Sequence, residues 1–146
     1  MKIPLQLLAA ALLLASSAAA QTLPAAQVPA AVTATFRHAY PQVVQVTWEK
    51  EGINYEAGFK QGAAVLSVLI TPAGKLVETE TGLAPSQLPA PVRQALARQY
   101  NAYRVTEAAK IVSAGTGRVV YEAEISQGHQ HRDVLFTADG RETQKP

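Results

Sequence analysis

The sequence predicts an α+β fold built from two tandem units, each a helix followed by up to four antiparallel strands. Three observations carry this reading. A stretch of the chain recurs, an apolar helical stripe follows each copy of a Pro-Ala pair, and period-2 alternation marks strands punctuated by glycine turns.

The recurrence comes first, because a repeat decides the architecture before any single element does. Val28-Pro29-Ala30 returns 60 residues on as Leu88-Pro89-Ala90, and Tyr40 returns as Tyr100. Farther along the offset is 66 residues, carrying Tyr55-Glu56-Ala57 onto Tyr121-Glu122-Ala123 and Gln61-Gly62 onto Gln127-Gly128. Between 55–75 and 121–141, nine of 21 positions are identical. The change of offset places six extra residues in the second copy, between Tyr100 and Tyr121.

Each copy opens with a proline suited to a first helical turn, where its missing N–H would be unpaired anyway. Val32, Phe36, Ala39 and Tyr40 then share one helical face, and Pro41 stops the helix. Val92, Leu96 and Tyr100 make the matching stripe. Strands follow. Val44, Val46 and Trp48 alternate with polar neighbours, as do Ile53, Tyr55, Ala57 and Phe59. A turn at Gln61-Gly62 leads into 63–70, and Thr71-Pro72-Ala73-Gly74 reads as a type I turn with glycine at φ > 0 before 75–80. Thr137-Ala138-Asp139-Gly140 repeats that turn. The units are thus 28–80 and 88–146, joined by a short linker at 81–87 and preceded by a loose lead-in at 21–27.

Residues 1–20 read as a secretory signal peptide. Lys2 supplies the charge, an Ile/Leu/Ala run reaches Ala15, and Ser16–Ala20 ends in small residues that suit cleavage after Ala20. The apolar run is shorter than the roughly 20 residues a membrane span needs. The expected location is periplasmic or secreted, with no stable membrane anchor.

Composition removes several classes of function. With 13 Lys+Arg against 11 Asp+Glu, the chain has no basic excess of the kind nucleic acid selects. It has no cysteine, which excludes thiol catalysis, thiolate-bound zinc, redox chemistry and a lipoprotein anchor. No serine sits in a G-x-S-x-G setting, and no glycine-rich phosphate loop is present. Neither catalytic residues nor a cofactor are predicted, and the chain is read as no enzyme.

The order of leader, V-P-x-x-V helix ending at Tyr40-Pro41, Y-E strand and T-x-x-G-[KR] hairpin, taken twice, resembles the PepSY-like proteins related to β-lactamase-inhibitor protein. The resemblance covers about residues 28–146. It implies one extended antiparallel sheet with the helices on one face and the opposite, often concave, face left for binding. Members of this group inhibit enzymes or serve envelope assembly. The inhibitor proteins carry disulfides and this chain has no cysteine, so β-lactamase inhibition is not carried over.

Alternation assigns the faces. Tyr55, Ala57, Phe59, Tyr121, Ala123 and Ile125 should cover the helices, with Trp48 in the core. Glu56, Lys60, Val65 and Leu69 should then lie on the open face, joined by Glu122, Glu124, His131 and Asp133. A hairpin turning at Gln127-Gly128 sets Glu124 opposite His131, Ser126 opposite His129, and Glu122 opposite Asp133. These eight residues are the candidate contacts for a protein or peptide of the cell envelope, bound, inhibited or chaperoned by a monomer. Charges there tune specificity and on-rate, while Val65 and Leu69 supply apolar affinity. On this reading Leu69→Asp abolishes binding without unfolding the chain. The rival is a metal or small-ligand binder, with His129, His131 and Glu124 as ligands suited to zinc or copper; cross-strand His–Glu pairing is the plainer account of the same residues.

Overall fold

The computed structural model describes residues 21–145, so the leader expected over 1–20 lies outside them. Helix α1 (Ala30–Ala39) and helix α2 (Ala90–Gln99) start directly after Pro29 and Pro89, which take the N-cap positions. Tyr40 ends α1 with non-helical backbone, because the ring of Pro41 disfavours helical geometry in the residue before it. Val32 and Phe36 of α1, and Val92, Ala95 and Leu96 of α2, are the buried positions.

The described strands are β1 (Gln21–Leu23), β2 (Val46–Glu51), β3 (Asn54–Gln61), β4 (Ala64–Ile70), β5 (Leu76–Leu83), β6 (Arg104–Ser113), β7 (Val119–Gln127), β8 (Gln130–Phe136) and β9 (Glu142–Thr143). They form one antiparallel sheet in the order β1 to β9. The order helix, then four strands, occurs twice along the chain. Leu66, Val68 and Ile70 of β4 and Leu76 of β5 pack in the core under α1, and Leu83 of β5 packs in the core under α2. Ile70 pairs with Leu76 and Leu69 with Glu78, which leaves Val77 as a bulge between them. Both helices therefore lie on one face, the architecture the sequence predicts.

Each helix has its own core against the sheet. Under α1, Phe36 meets Trp48 and Phe59 edge-on, with ring centroids 5.4 and 5.2 Å apart, an arrangement that ring quadrupoles favour. Under α2 the filling is mostly aliphatic, with Val92, Leu96, Ile125 and Val134 around Phe136.

Several sequence boundaries move. The lead-in is not loose: Gln21–Leu23 is a strand paired with Trp48–Lys50, followed by a 3-10 turn at Ala25–Gln27. The linker is likewise structured, since Thr81–Leu83 completes β5 and Pro85–Gln87 forms the same 3-10 turn. The 60-residue offset therefore extends upstream, with Leu23, Gln27 and Pro29 matched by Leu83, Gln87 and Pro89. Val44 and Ile53, expected to be strand residues, lie outside strands and are 92% and 76% exposed.

The hairpin register also differs. The turn residues are Gly62-Ala63 and Gly128-His129, with Gln61 paired to Ala64 and Gln127 to Gln130. Gly62 and Gly128 have φ near +60°, while among the described residues no residue other than glycine has positive φ. A type II′ turn needs its positive φ at the first central position, so glycine, not the preceding glutamine, leads the turn. The pairing shifts by two residues, and an even shift leaves every side chain on the face alternation assigned.

Candidate functional site: the open face of the sheet

Following the register from strand to strand fixes the face opposite the helices. Glu49 pairs with Glu56, Glu56 with Leu69, Leu69 with Glu78 and Glu78 with Ser113. A second row runs Thr47, Gly58, Ser67, Glu80, Ile111, Val120. A third runs Lys60, Val65, then Gly82 of β5 beside Ala109 of β6, Glu122 and Leu135. Glutamates from β2, β3, β5 and β7 thus converge on a floor of small and aliphatic side chains. Leu69, Ala109, Ile111 and Val120 are buried although neither α1 nor α2 covers them.

The reason is curvature. In a flat sheet β2 and β9 would stand about 33 Å apart, seven strand spacings. Yet Lys145, two residues beyond β9, places its Nζ 3.2 Å from Glu51 on β2 and 3.2 Å from Glu78 on β5. Two residues of extended chain plus a lysine side chain reach only about 13 Å. The sheet must therefore curl over its open face, which is concave, and the segment after β9 crosses it. Arg118 holds the start of that segment by donating to Thr143 Oγ1 at 2.6 Å and to the Gln144 carbonyl at 3.4 Å.

Curvature sets the electrostatics. Burial, followed by repulsion from Glu122 and Glu56, pushes the Glu80 carboxyl up to about 7. Glu122 is also raised, first by burial and then by Asp133, with Lys145 opposing. Burial alone would lower the Lys145 ammonium, but Glu78 and Glu51 together hold it above the ordinary lysine value. Glu124, on the solvated rim, is shifted the other way. It accepts the Thr106 hydroxyl at 2.5 Å and lies 3.2 Å from His131 Nδ1, and both contacts hold its carboxyl below the usual range. A carboxylate so stabilised is a weak base. This trio orders a rim; it does not activate the threonine hydroxyl.

The structure places the sequence-predicted residues as follows. Glu56, Lys60, Val65, Glu122, Glu124, His131 and Asp133 all fall on the open face, and Val65 is 55% exposed. Leu69 has the expected face but not the expected exposure: it is 8% exposed, between Glu56 and Glu78. Leu69→Asp therefore buries a charge beside two carboxylates, and urea denaturation is expected to show a loss of about 3 kcal/mol or more. It cannot serve as the folded, non-binding variant. Glu124 opposes Asp133 and touches His131 diagonally, Ser126 opposes His131, and Glu122 opposes Leu135. His129 lies in the Gly128-His129 turn, not on the strand. Among the described residues no three His, Asp or Glu side chains converge as metal ligands would, so the His129, His131, Glu124 constellation does not form.

Glu51, Glu78, Glu80 and Lys145 were not among the sequence-predicted residues. The alternation Glu78, Glu80 within 76–83 was readable as an open-face pair once the bulge at Val77, opposite the Leu69–Ile70 step, was phased. Nothing in the local pattern signals Lys145.

No protein-family model matches the sequence, and no curated protein does. Solved structures do match. A proposed periplasmic protein of Bacteroides eggerthii is 19% identical, with TM-score 0.71, over 80% of this chain and 86% of that one. A DUF2874 family protein of Bacteroides uniformis is 21% identical, with TM-score 0.69, over 80% and 86%. A BLIP-like protein of Bacteroides fragilis is 22% identical, with TM-score 0.64, over 84% and 85%. The overall fold of this chain, a curled antiparallel sheet with two helices on its convex side, is thus similar to that of these BLIP-like and DUF2874 proteins.

Proposed function

We propose that this chain is an exported, non-catalytic binding module with its leader removed after Ala20, acting in the periplasm or outside the cell. It engages an envelope or secreted protein through the concave face and thereby inhibits or chaperones it. The observation that carries this reading is the open face itself: among the described residues no helix covers that side of the sheet, which is floored by buried apolar residues and rimmed by charge. Likeness in fold to a BLIP-like protein and to a proposed periplasmic protein supports it.

Val65 replaces Leu69 as the residue to test, because it is exposed on that face and paired with Lys60. Exposed apolar side chains beside charges are what a protein contact uses. Affinity capture from an envelope extract with tagged residues 21–146 is expected to retain one protein that Val65→Asp loses, with unchanged thermal stability. Equal retention by both chains would move the contact off this face.

A further inference from the structure

Glu51, Glu56, Glu78, Glu80 and Glu122 come from four strands and both halves of the chain to one concave surface, and Lys145 bridges two of them. Glu78 is nearly inaccessible, so its carboxylate meets its cation with little water between. Lys145 itself is held by little else. Among the described residues its polar partners are Glu51 and Glu78, and its side chain remains 43% exposed. On the same face, Asn54, paired with Glu51, carries a buried Oδ1 with no hydrogen-bond partner. The surface thus offers more acceptors than its single bridging ammonium uses.

We propose that the concave face takes a lysine or arginine side chain from an extended segment of a partner protein, and that Lys145 holds that place in the unbound chain. This rests on the open face being the binding surface and adds the chemistry of its occupant. Charge complementarity selects the cation: Glu56, Glu80 and Glu122 share one face of the sheet and form no ion pair among the described residues, and a second ammonium or guanidinium relieves their repulsion. An entering cation competes with Lys145 for Glu51 and Glu78. The tail is therefore an intramolecular competitor that lowers apparent affinity by the fraction of chains in which it is seated.

The probe is a capped peptide Ala-Lys-Ala-Lys-Ala, with Ala-Gln-Ala-Gln-Ala as control, titrated into the ¹⁵N-labelled chain from residue 21 and followed by amide shifts. Lys145→Gln is expected to bind the lysine peptide about fivefold more tightly than the parent, the scale of one exposed ion pair. The shifts should centre on Leu69, Glu78, Glu80, Ile111 and Glu122. Adding Glu78→Gln and Glu80→Gln should remove the binding while the spectrum stays that of a folded chain. Equal affinity of parent and Lys145→Gln overturns the competitor role of the tail. Equal binding of the glutamine peptide, shifts on another surface, or no binding to Lys145→Gln overturns the cationic occupant. Those failures leave the capture result with Val65→Asp standing, so the broader reading is judged separately.

Discussion

Gly140→Ala is expected to lower the stability of the chain by about 3 kcal/mol or more, the largest effect of any glycine-to-alanine change among the described residues. Two costs combine. Gly140 has φ +83°, a left-handed conformation that costs an L-residue about 1–2 kcal/mol. Its added Cβ would also sit 2.5 Å from the carbonyl oxygen and 2.8 Å from the carbonyl carbon of Pro91. Those are backbone atoms at the start of α2, so relief requires the turn to lift off the helix. The first half repeats the device. Gly74, at φ +84°, would bring its Cβ within 2.8 Å of the Ala31 carbonyl oxygen, and its own carbonyl accepts the Thr35 hydroxyl at 2.6 Å. Gly62→Ala is the matched control: its φ is +61°, but nothing lies within 4 Å of the new Cβ. Urea denaturation should give about 1 kcal/mol for Gly62→Ala and severalfold more for Gly140→Ala. Equal losses would mean that the turns do not dock on the helices.

Glu80→Gln should stabilise the protein by an amount that grows from about pH 4.5 and is nearly complete by pH 7. The Glu80 carboxyl titrates near 7 in the folded chain against 4.5 for the ordinary group, because it is buried beside Glu122 and Glu56, with Glu78 adding and Lys145 opposing. The folded state therefore holds this proton more tightly than the unfolded state. Its contribution to stability is complete below about pH 4.5 and is lost as pH rises to about 7. At pH 8 the whole cost of the buried charge is present, and each unit of raised pKa corresponds to about 1.4 kcal/mol. A neutral amide of the same shape removes it. The midpoint temperature of the parent should fall between pH 5 and 8, with a flatter profile for Glu80→Gln and a gap of about 1–3 kcal/mol at pH 8. Superimposable profiles would show that Glu80 is solvated and that the face is less concave than described.

Much of this architecture was legible in the residues, and what was not has physical causes. The stripe Val32, Phe36, Tyr40 and the alternation Tyr55, Ala57, Phe59 gave helices, strands and faces because burial imposes those periods directly. Gly74 and Gly140 marked their turns, since few other residues adopt that backbone. Leu69 misled because alternation reports which face a side chain takes, not whether the sheet curls over it. Curvature is a property of nine strands together. Glu80 acquires its character from Glu122, 42 positions away on a strand of the other half. Lys145 lies farther still from Glu51 in sequence, joined to it only once the sheet has closed round. The register shift at Gly128 moved His131 from a direct to a diagonal neighbour of Glu124, and the contact survived because an even shift keeps the face.

On the proposed function, the concave face and not the helical one meets the partner. Photo-crosslinking in the exporting cell tests it most directly, with a benzophenone side chain placed at Val65 or Glu107 on the open face and at Ala34 or Gln94 on the exposed helix surfaces. One discrete adduct is expected, the same protein from both open-face positions and none from the helices. An adduct formed from Ala34 or Gln94, with none from Val65 and Glu107, would contradict it.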